Sequence, residues 1–146
     1  MNREVLKEQI KRHEGEVLEV YEDSLGYLTL GVGHLIQKSD PEHGKPAGTP
    51  VSQEVVDMYY NDDFDKHVIE AKHLVSDFDT LPENIQHVLV NMTFNLGGTR
   101  LSGFRRMLGC VERREWKEMA VEMEDSRWFR QVGRRSKELQ EMVLGA

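Results

Sequence analysis

Between Pro82 and the Gly97-Gly98 pair, Ile85, Val88, Leu89, Met92 and Leu96 recur every three or four residues. That spacing gives a helix with one broad apolar face, a proline at its entry and glycine at its exit, so the segment is expected to be a buried central helix on which the rest of the chain packs. Similar periodicity surrounds it. Asn2 can cap a helix through about His13, with Val5, Leu6 and Ile10 on one face and Gly15 as its stop. Ser52 can cap a longer helix carrying Val55, Met58, Tyr59, Phe64, Val68, Ala71 and Val75, and shorter amphipathic stretches follow at about 103–112, 115–124 and 134–143.

One region breaks the pattern. In residues 17–33, VLEVY and YLTLGVG are short β-prone runs separated by a turn rich in Asp, Ser and Gly, which predicts a hairpin. Residues 38–50 hold three of the four prolines and two glycines, the composition of an exposed loop. One helix, a small sheet and then about six helices predict an α+β fold. A small N-terminal lobe with a short antiparallel sheet would span about 13–52, and a helical C-terminal lobe about 64–146 together with helix 2–12. The long helix after Ser52 connects the two lobes, which are expected to hinge about it.

Composition narrows the function. The 146 residues can bury an independent core as one domain. No stretch approaches the ~18 apolar residues of a membrane span, and the first residues lack the apolar centre of an export signal. Cys110 is the single cysteine, and no Cys/His group has zinc spacing, so neither a disulfide, a metal site nor a cofactor is expected. The net charge of −7 argues against a nucleic-acid partner. Residues 100–146 nevertheless carry 11 Lys/Arg against 8 Asp/Glu, whereas residues 1–99 carry 8 against 18. This leaves a basic region around Arg105, Arg106, Arg134 and Arg135, suited to an anion or simply a solvated helix face.

The chemistry concentrates between residues 13 and 34. Glu14 ends the first predicted helix, Asp23 lies in the hairpin turn and Thr29 lies beyond it, and a hairpin that folds back can bring the three together. Two carboxylates in unlike settings are what glycosidic hydrolysis needs, one protonated to donate to the leaving oxygen and one charged to activate water or attack carbon. A helix end packed under a sheet suits the first task, and a wet turn the second.

The run Glu14-Gly15, then Tyr21-Glu22-Asp23-Ser24-Leu25-Gly26-Tyr27-Leu28-Thr29-Leu30-Gly31-Val32-Gly33-His34, resembles the active-site region of the phage lysozymes of glycoside hydrolase family 24, those of T-even bacteriophages included. Tyr60-Asn61-Asp62-Asp63-Phe64-Asp65 is similar to the family's inter-lobe helix, Asn91-Met92-Thr93-Phe94-Asn95-Leu96-Gly97 to its buried helix, and Ser126-Arg127-Trp128-Phe129 to a late segment. The resemblance covers about residues 3–140.

It implies Glu14 as general acid, Asp23 as the base that orients attacking water and Thr29 as a holder of that water. The reaction implied is inverting hydrolysis of the β-1,4 bond from N-acetylmuramic acid to N-acetylglucosamine in bacterial peptidoglycan. By the same resemblance Leu35 and Phe94 line the sugar cleft, Arg135 fixes the carboxyl of Glu14, and His34 pairs with Asp63 between the small lobe and the long helix. Trp128 is expected to be packing. Met107 and Glu122 stand where the family's best-known member turns small or amide side chains to substrate, which is a departure, and so is the loop at 38–50. The implied role is that of a monomeric phage endolysin, held in the host cytoplasm and released to the periplasm through a holin. Two alternatives remain open: a lytic transglycosylase, which needs an acidic Glu without a partnered Asp, and a non-catalytic wall-binding or virion-associated component.

Overall fold

The computed structural model describes residues 1–146. Helix α1 (Arg3–Glu14) leads into strands β1 (Val17–Glu22), β2 (Leu28–Gly31) and β3 (His34–Leu35), followed by α2 (Gln53–Leu74), a 3₁₀ turn (Phe78–Thr80) and α3 (Glu83–Leu96). Five shorter helices complete the chain: α4 (Gly98–Ser102), α5 (Arg105–Glu112), α6 (Trp116–Glu124), α7 (Arg127–Val132) and α8 (Arg134–Leu144). The sheet is antiparallel in the order β1-β2-β3, so the fold is α+β as expected.

The chain forms two compact units. One is Lys7–Asp65; the other combines Met1–Leu6 with Lys66–Ala146. The boundaries fall inside α1 and α2.

In the unit of Lys7–Asp65, the caps work as the sequence suggests. Ser52 Oγ accepts from the Val55 amide at 3.2 Å and so starts α2. Gly15, at φ +79°, turns the chain out of α1 while its amide still donates to the Lys11 carbonyl at 2.8 Å. The buried apolar set is Ile10, Val20, Leu30, Val32, Val51, Val56, Tyr59, Tyr60 and Phe64. Residues 38–50 are mainly exposed, but the end of this stretch is pinned. The Val20 amide donates to the Thr49 carbonyl at 2.9 Å, Gly48 N to Val20 O at 2.7 Å, and Val51 N to Leu18 O at 3.0 Å. The segment thus runs along the side of β1 that β2 leaves open.

In the helical unit, Asn2 Oδ1 accepts from the Val5 amide at 3.2 Å and caps α1. Pro82 stands just ahead of α3, whose first bonds run from Ile85 and Gln86 to the Pro82 carbonyl at 2.9 and 3.1 Å. Every residue from Ile85 to Thr93 is buried, which makes α3 the centre of this unit. Leu101, Met119, Met123, Leu139 and Val143 are buried in the same unit. The polar groups inside are paired locally: Gln86 Nε2 donates to Phe78 O at 3.0 Å, and Thr93 Oγ1 to Leu89 O at 2.7 Å.

Some face assignments differ from expectation. Val5 is 58% exposed and Met58 49%, because the buried stripes run through Leu6 and Ile10 on α1 and through Val56, Tyr59 and Tyr60 on α2. Helices α4 and α7 were not separable in the sequence, being too short to show a period.

Candidate active site

Glu14 closes α1, half-buried, with its carboxyl lying against the turn between β2 and β3. A Cβ built on Gly33 would stand 2.7 Å from Glu14 Oε1. Asp23 is set by the hairpin turn. Its Oδ1 accepts from the amides of Leu25 and Tyr27, both at 2.9 Å, while its own amide donates to Tyr27 O at 2.8 Å and its carbonyl accepts from Gly26 N at 3.0 Å. This Asx-type arrangement holds one carboxylate oxygen in the turn.

Thr29 is buried on β2, and its hydroxyl donates to Tyr27 O at 3.1 Å. The strand register places Tyr21 opposite Thr29 and Thr29 opposite Leu35, so these three form one row across the sheet. Leu35 is 46% exposed at the end of that row.

Tyr21 ties the pieces together. Burial pushes its phenol pKa up, and the negative charges of Glu14 and Asp23 push it further in the same direction. One ring is therefore within electrostatic reach of both carboxylates. Sequence reasoning assigned Tyr21 no role, although its place two residues before Asp23 on a strand is a readable signal.

His34 is buried at a second polar cluster. Its Nδ1 faces Asp63 Oδ2 at 2.7 Å, as the resemblance implies, and its Nε2 faces Asp40 Oδ2 at 2.8 Å, which the sequence did not suggest. The ring stacks on Tyr59 with centroids 4.0 Å apart, and the Tyr59 hydroxyl donates to Glu42. Burial alone would favour the neutral ring, but hydrogen bonds to Asp63 and Asp40, with their charges, outweigh it and raise the His34 pKa. Burial works against the charge of Asp40 as well. The Gln37 amide and His34 outweigh it and lower the Asp40 pKa.

The remaining predicted residues lie in the helical unit. Phe94 is half-buried, edge-on to His67 with centroids 5.0 Å apart. Arg135 Nε donates to Asn91 Oδ1 at 3.0 Å. Trp128 is packing, 3% exposed, with its Nε1 donating to Asn95 Oδ1 at 2.7 Å and its ring edge-on to Phe104 and Phe129. Met107 is buried beside Glu122 on the wall of a cavity of about 480 Å³ that also includes Phe104, Arg105 and Trp128. That cavity belongs wholly to the helical unit and holds none of Glu14, Tyr21, Asp23 or Thr29, so chemistry rather than volume defines the candidate site. No group of three His, Cys, Asp or Glu side chains is arranged to hold a metal ion.

The phage lysozyme family matches the chain over residues 11–142. "Probable T4-type lysozyme 2" of Dictyostelium discoideum is 29% identical over 90% of this chain and 88% of its own length. "Probable T4-type lysozyme 1" of the same organism is 26% identical over the same shares. The pre-baseplate central spike protein Gp5 of Enterobacteria phage T4 is 25% identical over 95% of this chain but only 27% of its own length.

Proposed function

The chain belongs to the phage lysozyme family, and we propose that its lysozyme-type hydrolysis of peptidoglycan cleaves the β-1,4 bond from N-acetylmuramic acid to N-acetylglucosamine with inversion. The observation that carries this reading is the pair Glu14 and Asp23 in unlike settings, one half-buried at a helix end against Gly33 and the other fixed in the hairpin turn by two backbone amides. Glu14, at a helix end against the backbone, donates a proton to the glycosidic oxygen as the bond to the anomeric carbon breaks. Asp23, fixed by its turn, takes a proton from the water that attacks the opposite face of that carbon. The Thr29 hydroxyl proton is engaged with Tyr27 O, so its oxygen is left as an acceptor that can orient the same water. Leu35, exposed at the end of the row, offers apolar surface to a sugar ring. Phe94 and Arg135, both in the helical unit, serve in this reading as a further sugar contact and a support for the reaction.

The biological role we infer is that of a monomeric endolysin stored in the host cytoplasm. It passes the inner membrane through a holin to reach the wall, without binding nucleic acid. Similarity to the spike protein favours a virion-associated role as a second reading, with the same bond cleaved. Wall-degrading activity found in purified particles rather than in the lysate would select it.

Product analysis tests the chemistry. Digestion of purified peptidoglycan should give ordinary reducing muramic ends, initially as the α-anomer; 1,6-anhydro ends would overturn hydrolysis in favour of transglycosylation. Glu14→Gln should lower the rate by about 10³-fold, the scale of a lost general acid, with an unchanged melting temperature. Equal clearing of permeabilised cells by wild type and Glu14→Gln would remove Glu14 from the mechanism.

A further inference from the structure

The end of β2 and the turn that follows it, Gly31-Val32-Gly33, contain two glycines with left-handed backbone, φ +60° at Gly31 and +63° at Gly33. Either φ alone is a reason for glycine. What their missing side chains make room for is different. A Cβ on Gly31 would stand 2.9 Å from Val56 Cγ1, the tip of an apolar side chain. A Cβ on Gly33 would stand 2.7 Å from Glu14 Oε1, 3.4 Å from Cδ and 3.8 Å from Cγ. The carboxyl therefore lies in the volume that any side chain at position 33 would fill.

We propose that Gly33 is a positioning residue for the reaction, its bare backbone being the seat of the Glu14 carboxyl. This rests on the reading of Glu14 as the acid. Glu14 is the last residue of its helix, has three side-chain torsions and is only half-buried, so the helix by itself leaves the carboxyl many orientations. The bare backbone at position 33 leaves open the orientation seen here, which any side chain there would close off. A carboxyl displaced by a methyl group would still be present but aimed wrongly, and a misplacement of about 1 Å can cost about 10²-fold in rate.

Gly31 supplies a matched control two residues away, with nearly the same φ and comparable crowding against an apolar neighbour. Gly33→Ala and Gly31→Ala should both lower the melting temperature. On purified peptidoglycan, Gly33→Ala should lower kcat by about 10²-fold with KM within about threefold, whereas Gly31→Ala should keep kcat within about threefold. The ¹³C carboxyl signal of Glu14, identified by its loss in Glu14→Gln, should move in the first variant and stay in the second. In a Glu14→Gln background Gly33→Ala should change the residual rate by less than about threefold, since the partner it acts through is already disabled.

A kcat for Gly33→Ala no lower than for Gly31→Ala, or an equal fall in the Glu14→Gln background, overturns the proposal. So does an unmoved carboxyl signal. If Gly33→Ala does not fold, Glu14→Ala added to it should restore folding by vacating the space, and a failure to restore counts against the seat. Full activity of Glu14→Gln instead overturns the acid assignment, and the carboxyl signal still reports separately on whether Gly33 seats that side chain.

Discussion

His34 and His87 are buried to nearly the same degree, 8% and 5% exposed, yet the two units treat them in opposite ways. In the unit of Lys7–Asp65, His34 has a carboxylate at each ring nitrogen and an aromatic ring beneath it, and its pKa is raised. In the helical unit, burial depresses the pKa of His87; Glu83 opposes this and the N-terminal amine adds to it, while Nε2 has no hydrogen-bond partner. The sheet unit adds to its smaller apolar set charged links that join a loop, a strand and a helix. The helical unit is ordered by the run of buried residues on α3 and tolerates an imperfectly satisfied ring inside it. The unit that holds Glu14 and Asp23 is thus also the one in which a buried histidine is stabilised in its charged form.

Removing apolar volume should separate the buried centre of α3 from the exposed hairpin turn most strongly. Leu89→Ala, at a fully buried position of α3, should cost about 2–5 kcal/mol in urea unfolding at pH 7. Leu25→Ala, at a 79% exposed position of the hairpin turn, should change stability by less than about 0.5 kcal/mol. Similar losses for both would break the contrast.

His34→Asn comes next. Because the folded-state pKa of His34 is raised, its contribution is complete below the unfolded value of about 6.5 and is lost as pH rises through the folded value. The variant should be less stable than wild type by about 1.5–3 kcal/mol at pH 5, the worth of hydrogen bonds to a charged group, with the gap closing toward alkaline pH. A gap that is constant with pH would mean packing on Tyr59, not charge, is what His34 supplies.

The smallest effect is expected at His87, with the opposite sign. A depressed folded pKa gives stability that is present above about pH 6.5 and lost as pH falls through the folded value. His87→Leu should lie within about 1 kcal/mol of wild type at pH 7 and exceed it at pH 5, as replacement of an unsatisfied buried polar group allows. Acid unfolding curves that coincide would show that the ring is not desolvated in the folded protein.

The difference between the units also explains what could be read from the chain itself. Asn2, Ser52, Gly15 and the Ile85–Leu96 pattern are local signals, and local hydrogen bonding and periodicity decide them, so the caps and the central helix were legible. Glu14, Asp23 and Thr29 could be proposed because they share one short hairpin region, and the family resemblance sharpened their roles. Asp40 was not legible. It sits in a Pro/Gly-rich stretch with no period, and its partner His34 is on a strand whose folding back cannot be read from residue types. Gly33 was visible only as part of a shared string of residues. That its missing side chain faces a carboxylate is a fact of three dimensions. Helices α4 and α7, of five and six residues, are too short for apolar spacing to announce them.

The strand-like run of residues 48–51 along β1 has a colloidal consequence. An open strand side is a template that recruits strands from other molecules, and such pairing is how small sheets begin to aggregate. Here one margin is occupied by the chain's own backbone, and the other, β3, is only two residues long. A concentrated solution of this protein therefore meets little unsatisfied ladder on which intermolecular β-growth can start.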